Sequence, residues 1–135
     1  MEPLEQLRAK ISDFPGYDGE LQRRLSDEYV RSYLGEALAD LAARGVLPPE
    51  LRERADDLIL RVGFADQHAF AAHADVKTSD SSDESAVAAA DAATVALADR
   101  AASLDAASAA GYLEQVTAAL DKRNAAIRAA APTMP

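Results

Sequence analysis

The stretch VAAADAATVALADRAASL, residues 87–104, carries the strongest periodic pattern in this chain. Apolar or small residues recur at alternating spacings of three and four, which predicts an α-helix with one narrow, coiled-coil-like contact face. That predicted face consists of Val87, Ala90, Thr94, Leu97, Ala101 and Leu104. The charged residues predicted to lie outside it are Asp91, Asp99, Arg100 and Asp105. Because the face has few large side chains, we expect it to be buried by close, alanine-lined contact with another helix.

The segments on both sides of this stretch also have helical periodicity. Towards the N-terminus, the sequence predicts helices beginning at Pro3 and Pro49, a long helix over residues 19–44 and a shorter one over 66–74. Towards the C-terminus, a last helix carries Leu113, Val116, Leu120 and Ile127 and ends before Pro132. No alternating pattern is long enough to predict a strand. The predicted fold class is all-α, a compact antiparallel bundle of five or six helices.

The long helix over residues 19–44 is predicted to have a broad buried face. One stripe carries Val30, Leu34, Ala37, Leu38 and Leu41, and a neighbouring stripe carries Leu21, Leu25 and Tyr29. Asp18 is predicted to cap its N-terminus, after a type II turn formed by residues 14–17. Gly45 suits the position that follows the helix C-terminus.

The chain is predicted to form a single domain over residues 1–131. Of its 135 residues 32 are alanine, and the larger apolar residues are uneven, with 23 in residues 1–75 and 11 in residues 76–135. The first part is therefore expected to build the main core, with an alanine-rich helical hairpin packed against it. The polar stretch KTSDSSDES, residues 77–85, is predicted to be a linker that ends in a capping box. Residues 132–135 are predicted to be a disordered tail.

Composition excludes several classes of function. The chain has no cysteine, which rules out disulfides and thiolate metal sites. The net charge of −9 and pI of about 4.6 leave no clustered basic surface, so neither nucleic acid nor an anionic membrane is an expected partner. The first residues have no apolar core typical of a secretory signal, and no stretch is long and apolar enough to span a bilayer. A cytoplasmic location is expected, and the alanine-rich composition is typical of a GC-rich bacterial genome.

The segment FADQHAFAAHAD, residues 64–75, contains both histidines. In a helix His68 and His73 diverge by about 140°, so they cannot hold one metal ion as a pair four residues apart can. Asp66 lies seven residues before His73 and shares its helix face. Asp75 lies seven residues after His68 and shares the other face. The favoured interpretation is a packing helix. The alternative is a small-ligand or metal-binding bundle in which His68, His73 and nearby carboxylates converge with another helix.

No motif for catalysis or for a cofactor stands out in the sequence. Glycine-rich phosphate loops and the nucleophile elbow of hydrolases are absent. The adjacent carboxylates Asp56 and Asp57 point about 100° apart on a helix, which favours solvated charge over a catalytic pair. The sequence therefore does not favour an enzyme and predicts no cofactor.

The remaining functional candidates are aromatic and alanine-lined contact surfaces. Tyr29 and Tyr33 are four residues apart on one helix face, where they either lie at the edge of the core, the favoured reading, or line a groove or interface. The leading hypothesis is a non-enzymatic, self-associating protein–protein interaction module. Its expected partner is a second copy, giving a dimer, or another helical protein. The predicted interface or groove residues are Tyr29, Tyr33, Val87, Leu97 and Leu104.

Overall fold

The computed structural model describes residues 2–65 and 81–130, and these form an all-α bundle, which confirms the predicted fold class. Within these two ranges, five α-helices follow one another: α1 (Pro3–Lys10), α2 (Glu20–Ala43), α3 (Pro49–Leu60), α4 (Ser81–Arg100) and α5 (Ala106–Ala130). A π-helical turn, Arg61–Ala65, continues α3, and a 3-10 turn, Ala101–Ser103, follows α4.

The helix ends follow local sequence signals. Pro3 and Pro49 occupy the first turns of α1 and α3, where a missing N–H breaks no helical hydrogen bond. Gly45, just after α2, has a φ of 76°, a conformation that glycine adopts without the penalty of a Cβ. Asp105 caps α5, because its carboxylate accepts a 2.9 Å hydrogen bond from the Ser108 N–H.

The turn between α1 and α2 is held by side chains from both helices. Gly16 has a φ of 101°, as the predicted type II turn requires. The Arg8 guanidinium donates to the carbonyl of Pro15 at 3.1 Å, and the Ser26 hydroxyl donates to that of Gly16 at 2.5 Å. The predicted cap at Asp18 is wrong. The N-cap is Gly19, because the backbone turns at its φ of 93° before the helix begins.

Helix α4 lies at the centre of the bundle and packs against α1, α2 and α5, while α3 packs against α2 and α5. Helices α4 and α5 are antiparallel, since Arg100 bonds to Gln115 while Asp91 bonds to Arg123. Helices α2 and α4 run in the same direction, with Tyr33 reaching Asp99. Along the chain, α3 and the π-helical turn Arg61–Ala65 come between these two helices.

The burial of α4 is broader than its predicted contact face. Val87, Ala90, Thr94, Ala101 and Leu104 are buried and Leu97 is partly buried, as expected. However, Asp91, Val95 and Ala98 are buried as well. The prediction of a narrow face with Asp91 outside it is therefore wrong, because three helices rather than one surround α4.

The predicted burial of α2 holds from Val30 onward. Leu34, Leu38 and Leu41 are buried in a cluster with Leu113 and Leu120 of α5. In the first half, by contrast, Leu21, Leu25 and Tyr29 point outward. The prediction that these three residues extend the buried face is wrong, because the side of α2 facing α4 and α5 there carries polar residues.

Some sequence predictions fall on residues that lie outside the described parts of the chain. These are the helix over 66–74, residues 77–80 of the predicted linker and the tail 132–135. Helix α4 begins at Ser81, so residues 81–85 of the predicted linker are helical. Within the described residues, every helix is too short or too polar to cross a bilayer.

Candidate functional site

Three helices and one turn contribute side chains to a buried network of ion pairs and hydrogen bonds. Arg123 lies at its centre. Its Nε donates to Oδ1 of Asp91 at 2.5 Å, and its Nη2 donates to Oδ1 of Asp27. The Tyr17 hydroxyl donates to the other oxygen of Asp91 at 2.5 Å. Arg31 donates from Nε to the other oxygen of Asp27 at 2.8 Å. Each carboxylate therefore accepts from two different side chains.

The network connects segments that are far apart along the chain. Asp27 is on α2, Asp91 on α4 and Arg123 on α5, and the turn before α2 supplies Tyr17. Arg31, one helical turn after Asp27, also reaches the carbonyls of Val62 and Gly63 at 3.3 and 3.4 Å. These contacts attach the π-helical turn after α3 to α2.

The charges of the network balance. Two carboxylates face two guanidinium groups, and the side chains of Asp27, Asp91 and Arg123 are only 1–3% exposed. Burial raises the pKa of Asp91, against the opposing attraction and hydrogen bonds of Arg123 and Tyr17. Burial and the neighbouring Asp91 raise the pKa of Tyr17 far above its ordinary value. Although burial acts to lower the pKa of Arg123, Asp91 and Asp27 raise it overall, so the guanidinium stays charged.

The network has the geometry of a structural element. Its acceptor oxygens are already bonded within the chain, and its central atoms are closed off from solvent by α2, α4 and α5. A solute would have to displace a helix to contact Asp27 or Asp91. One donor, Nη1 of Arg123, is buried without an acceptor among the described residues. The burial of the network is therefore compensated by its balanced charges and not by a complete set of hydrogen bonds.

Sequence reasoning missed this network, although the sequence contains a signal for it. Asp27 precedes Val30 and Leu34 at spacings of three and seven, which places it on their buried stripe. Arg123 lies between Leu120 and Ile127 at spacings of three and four. The signal in the sequence is a charged residue at a position where the spacing of apolar residues predicts a buried side chain. The sequence does not reveal which charges pair, because Asp27 and Arg123 are 96 residues apart.

A second feature is the α2 outer face, which we define as Leu21, Leu25 and Tyr29. Their exposed fractions are 71%, 38% and 37%, in a structure that otherwise leaves few large apolar side chains exposed. The spacing of four residues places them on successive turns along one side of the helix. Beside them is an open groove of about 430 Å³, lined by Ile11, Leu25, Glu28, Tyr29, Ser32, Tyr33 and Glu36.

Tyr29 and Tyr33 border that groove, and their environments differ. Tyr33 packs against two hydrophobic clusters, one that contains Leu34 and a second that contains Val30. Its hydroxyl donates to Asp99, which also lies 3.2 Å from Nζ of Lys10. The hydrogen bond to Asp99, together with burial, raises the pKa of Tyr33 to about 12. Tyr33 is therefore a residue of the core edge, whereas Tyr29 presents more of its ring to solvent.

The structure places the other predicted interface residues inside the chain. Val87 is buried with Leu7 and Phe14, and Leu104 is buried with Leu41 and Leu47. Leu97 packs against the same cluster as Leu104, and its carbonyl accepts from the Tyr112 hydroxyl at 2.6 Å. These residues are covered by the bundle's own helices and are not brought together with Tyr29.

The histidine segment, for which the sequence favours a packing helix and leaves a metal or ligand site as the alternative, contains Asp66, His68, His73 and Asp75, and these four residues lie outside the described parts of the chain. Within residues 2–65 and 81–130, no three metal-binding side chains come together. Asp56 and Asp57 are both exposed on α3, as predicted for solvated charge. Comparisons with protein families, curated proteins and solved structures give no significant match. Within the described residues, the α2 outer face and the buried network on the opposite side of α2 are therefore the features that bear on function.

Proposed function

We propose that this protein is a non-enzymatic helical interaction module that associates with a second copy of itself through the α2 outer face. The observation that carries the proposal is the outward position of Leu21, Leu25 and Tyr29 on successive turns of one helix. Contiguous exposed apolar residues on a small protein are characteristic of interaction surfaces. Tyrosine in particular is enriched at interfaces, where its ring buries apolar area and its hydroxyl keeps a polar contact.

The network beneath this face supports the proposal by holding α2 in place. Asp27 and Arg31 anchor α2 to α5 and to the end of α3 through charge-assisted hydrogen bonds. The opposite side of the same helical turns carries Leu25 and Tyr29. A helix fixed on its inner side presents its outer residues in one arrangement, which lowers the entropic cost of binding.

Sedimentation velocity over a concentration series tests the proposal. We expect the wild-type sedimentation coefficient to rise with concentration into the range of hundreds of micromolar, since a contact along part of one helix is small and weak. Leu25→Lys should keep the protein monomeric at all concentrations. Lysine also reduces the net negative charge, so loss of association cannot come from increased repulsion between copies.

Leu60→Lys is the matched control. Leu60 is also a large exposed leucine, 58% accessible, but it lies at the end of α3 and does not line the α2 groove. This variant should associate like the wild type. A wild-type protein that stays monomeric throughout the series would refute self-association. Equal loss of association in both variants would refute the assignment to α2.

We also propose a bacterial cytoplasmic setting, for which only the composition argues. The chain is rich in alanine and has no cysteine, as suits a reducing compartment.

A further inference from the structure

We propose that the pocket beside the turn between α1 and α2 binds a small zwitterion, an α-amino acid with an aliphatic side chain. The pocket has a volume of about 340 Å³ and lies where α1, residues 15–18 and the first turn of α2 meet the N-terminal half of α4. A volume of this size is at the lower end of the range for ligand sites in proteins. No residue of the α2 outer face lines this pocket, so the proposal is independent of self-association.

One side of the pocket carries a guanidinium that is held in a fixed position. Nε of Arg8 donates to the carbonyl of Phe14 at 3.3 Å, and Nη2 donates to that of Pro15 at 3.1 Å. A Cβ at Gly16 would lie 3.2 Å from this Nη2, so the glycine leaves room for the guanidinium. Among the residues that the structure describes, Nη1 of Arg8 has no acceptor, and it is therefore available to a ligand in the pocket.

The second donor in the pocket is the side-chain amide of Gln22. Its Oε1 accepts a 2.9 Å hydrogen bond from the Asp18 N–H, so the other terminal atom is the donor Nε2. Within the described part of the chain, this Nε2 has no acceptor either. Nη2 of Arg8 and Oε1 of Gln22 lie within 3.5 Å of one point, the position of a Cβ on Gly16. The guanidinium and the amide are therefore close enough to donate to the two oxygens of one carboxylate.

Two carboxylates in the same pocket determine the rest of the ligand. Glu2 and Asp18 both line it, and the chain has a net charge of −9, so a simple anion would be repelled. An ammonium group on the same molecule converts this repulsion into attraction. Leu4 and Ala88 add apolar surface that an aliphatic side chain can contact. The lining therefore favours a molecule with both charges and a small apolar group.

The turn beside the pocket is fixed from the inside of the bundle. Tyr17, which also lines the pocket, donates its hydroxyl to Asp91 of the buried network at 2.5 Å. The Ser26 hydroxyl donates to the carbonyl of Gly16 at 2.5 Å. A turn held in this way keeps its donors in one arrangement, which lowers the entropic cost of binding a small ligand.

Titration of isotope-labelled protein with L-valine, followed by nuclear magnetic resonance, tests the proposal. We expect the side-chain N–H signals of Arg8 and Gln22 to shift with a dissociation constant on the order of 1 mM, as suits a ligand with few atoms. Two related compounds lack one charge each, since isovalerate has no ammonium group and isobutylamine has no carboxylate. Each should bind at least about tenfold more weakly than valine, because each loses a charge-assisted interaction. Unchanged Arg8 and Gln22 signals up to the solubility limit of valine would overturn the proposal.

A substitution of Gln22 tests the carboxylate end of the ligand. In Gln22→Glu an oxygen still accepts from the Asp18 N–H, but the donor is lost and a like charge faces the ligand. The affinity for valine should fall at least about tenfold, with unchanged circular dichroism. Gln115→Glu is the matched control, because it adds the same charge on α5 outside the pocket, and it should bind like the wild type. Equal affinities of Gln22→Glu and the control would overturn the role of Gln22.

A substitution of Asp18 tests the ammonium end. Asp18→Asn keeps the backbone N–H that bonds to Gln22 and removes only the charge of the side chain. It should weaken the binding of valine and strengthen that of isovalerate, since the same carboxylate attracts an ammonium group and repels an anion. Affinities for both compounds that change in the same direction would overturn the assignment of a zwitterion to this pocket.

Discussion

The first turns of α2 and its second half bury opposite kinds of side chain. From Leu34 to Leu41 the inner side is aliphatic and packs in the main core cluster. From Arg23 to Asp27 the inner side is polar or charged, and the leucines of those turns point outward. One helix therefore combines two ways of attaching to a bundle. In one half burial follows hydrophobicity, and in the other it follows the location of a partner of opposite charge.

The difference shows what positions the α2 outer face. An aliphatic inner side would tolerate small rotations of the helix, because apolar contact has no preferred direction. The contacts of Asp27 with Arg123 and Arg31 are directional, so they fix the rotation of these turns. Leu25 is directed to solvent because Asp27 is directed to Arg123.

The largest expected effect is the loss of the central cation. Arg123→Met should destabilise the protein by about 3–5 kcal/mol, because it leaves the buried carboxylates of Asp91 and Asp27 short of positive charge. Urea unfolding followed by circular dichroism measures the change. Arg128→Met, at an exposed position on the same helix, should stay within about 0.5 kcal/mol of the wild type.

A second substitution distinguishes lost charge balance from lost packing. Adding Asp91→Asn to Arg123→Met removes the unpaired carboxylate, keeps an acceptor for Tyr17 and leaves Asp27 with Arg31. The double variant should be more stable than Arg123→Met alone. A double variant that is no more stable than Arg123→Met would show that the lost packing of the Arg123 side chain, rather than the unpaired charge, determines the effect.

Truncation of leucines in the two halves of α2 should produce very different effects. Leu38→Ala should cost about 2–5 kcal/mol, because the side chain is fully buried and its removal leaves a cavity. Leu21→Ala should change the stability of the monomer by less than about 0.5 kcal/mol. Both are measured at concentrations below those of association. Similar losses in both variants would contradict the outward position of Leu21.

The Tyr17 hydroxyl should contribute a smaller amount. Tyr17→Phe removes the donor that contacts Asp91 at 2.5 Å and leaves a buried acceptor unsatisfied, so we expect a loss of about 1–3 kcal/mol. Tyr29→Phe is the matched control and should leave the monomer unchanged. An unchanged Tyr17→Phe protein would mean that Arg123 alone satisfies Asp91.

The smallest effect should appear at alkaline pH. The hydrogen bond to Asp99 raises the pKa of Tyr33, and burial raises that of Tyr112, both from 10.0 to about 12. The stability that these groups contribute is fully present below about pH 10 and is lost as the pH rises through about 12. Tyrosinate absorbance with and without urea measures this. Tyr33→Phe should remove one late-ionising group, and simultaneous ionisation of both tyrosines near pH 10 in the folded protein would contradict the assignment.

Local signals predicted the helices but not the orientation of α2. Pro3, Pro49 and Gly45 mark helix ends that chemistry within a few residues determines. The orientation of the first half of α2 depends on Asp91 and Arg123, which are 64 and 96 residues from Asp27. A helical pattern read by hydrophobicity places Leu21 and Leu25 inside, because it gives a buried aspartate no weight. The same long separation hid the network and, with it, the reason why Leu21 and Leu25 lie on the outer side of α2.

The order of the network residues along the chain has a consequence for synthesis on the ribosome. The two buried carboxylates are on α2 and α4, and the guanidinium that contacts both of them belongs to α5. A nascent chain that ends before Arg123 holds Asp27 and Asp91 without that cation, and water solvates them better than a protein interior does. We expect the early helices to remain loosely assembled until α5 emerges, so that the bundle closes only after the segment that contains Arg123 has been translated.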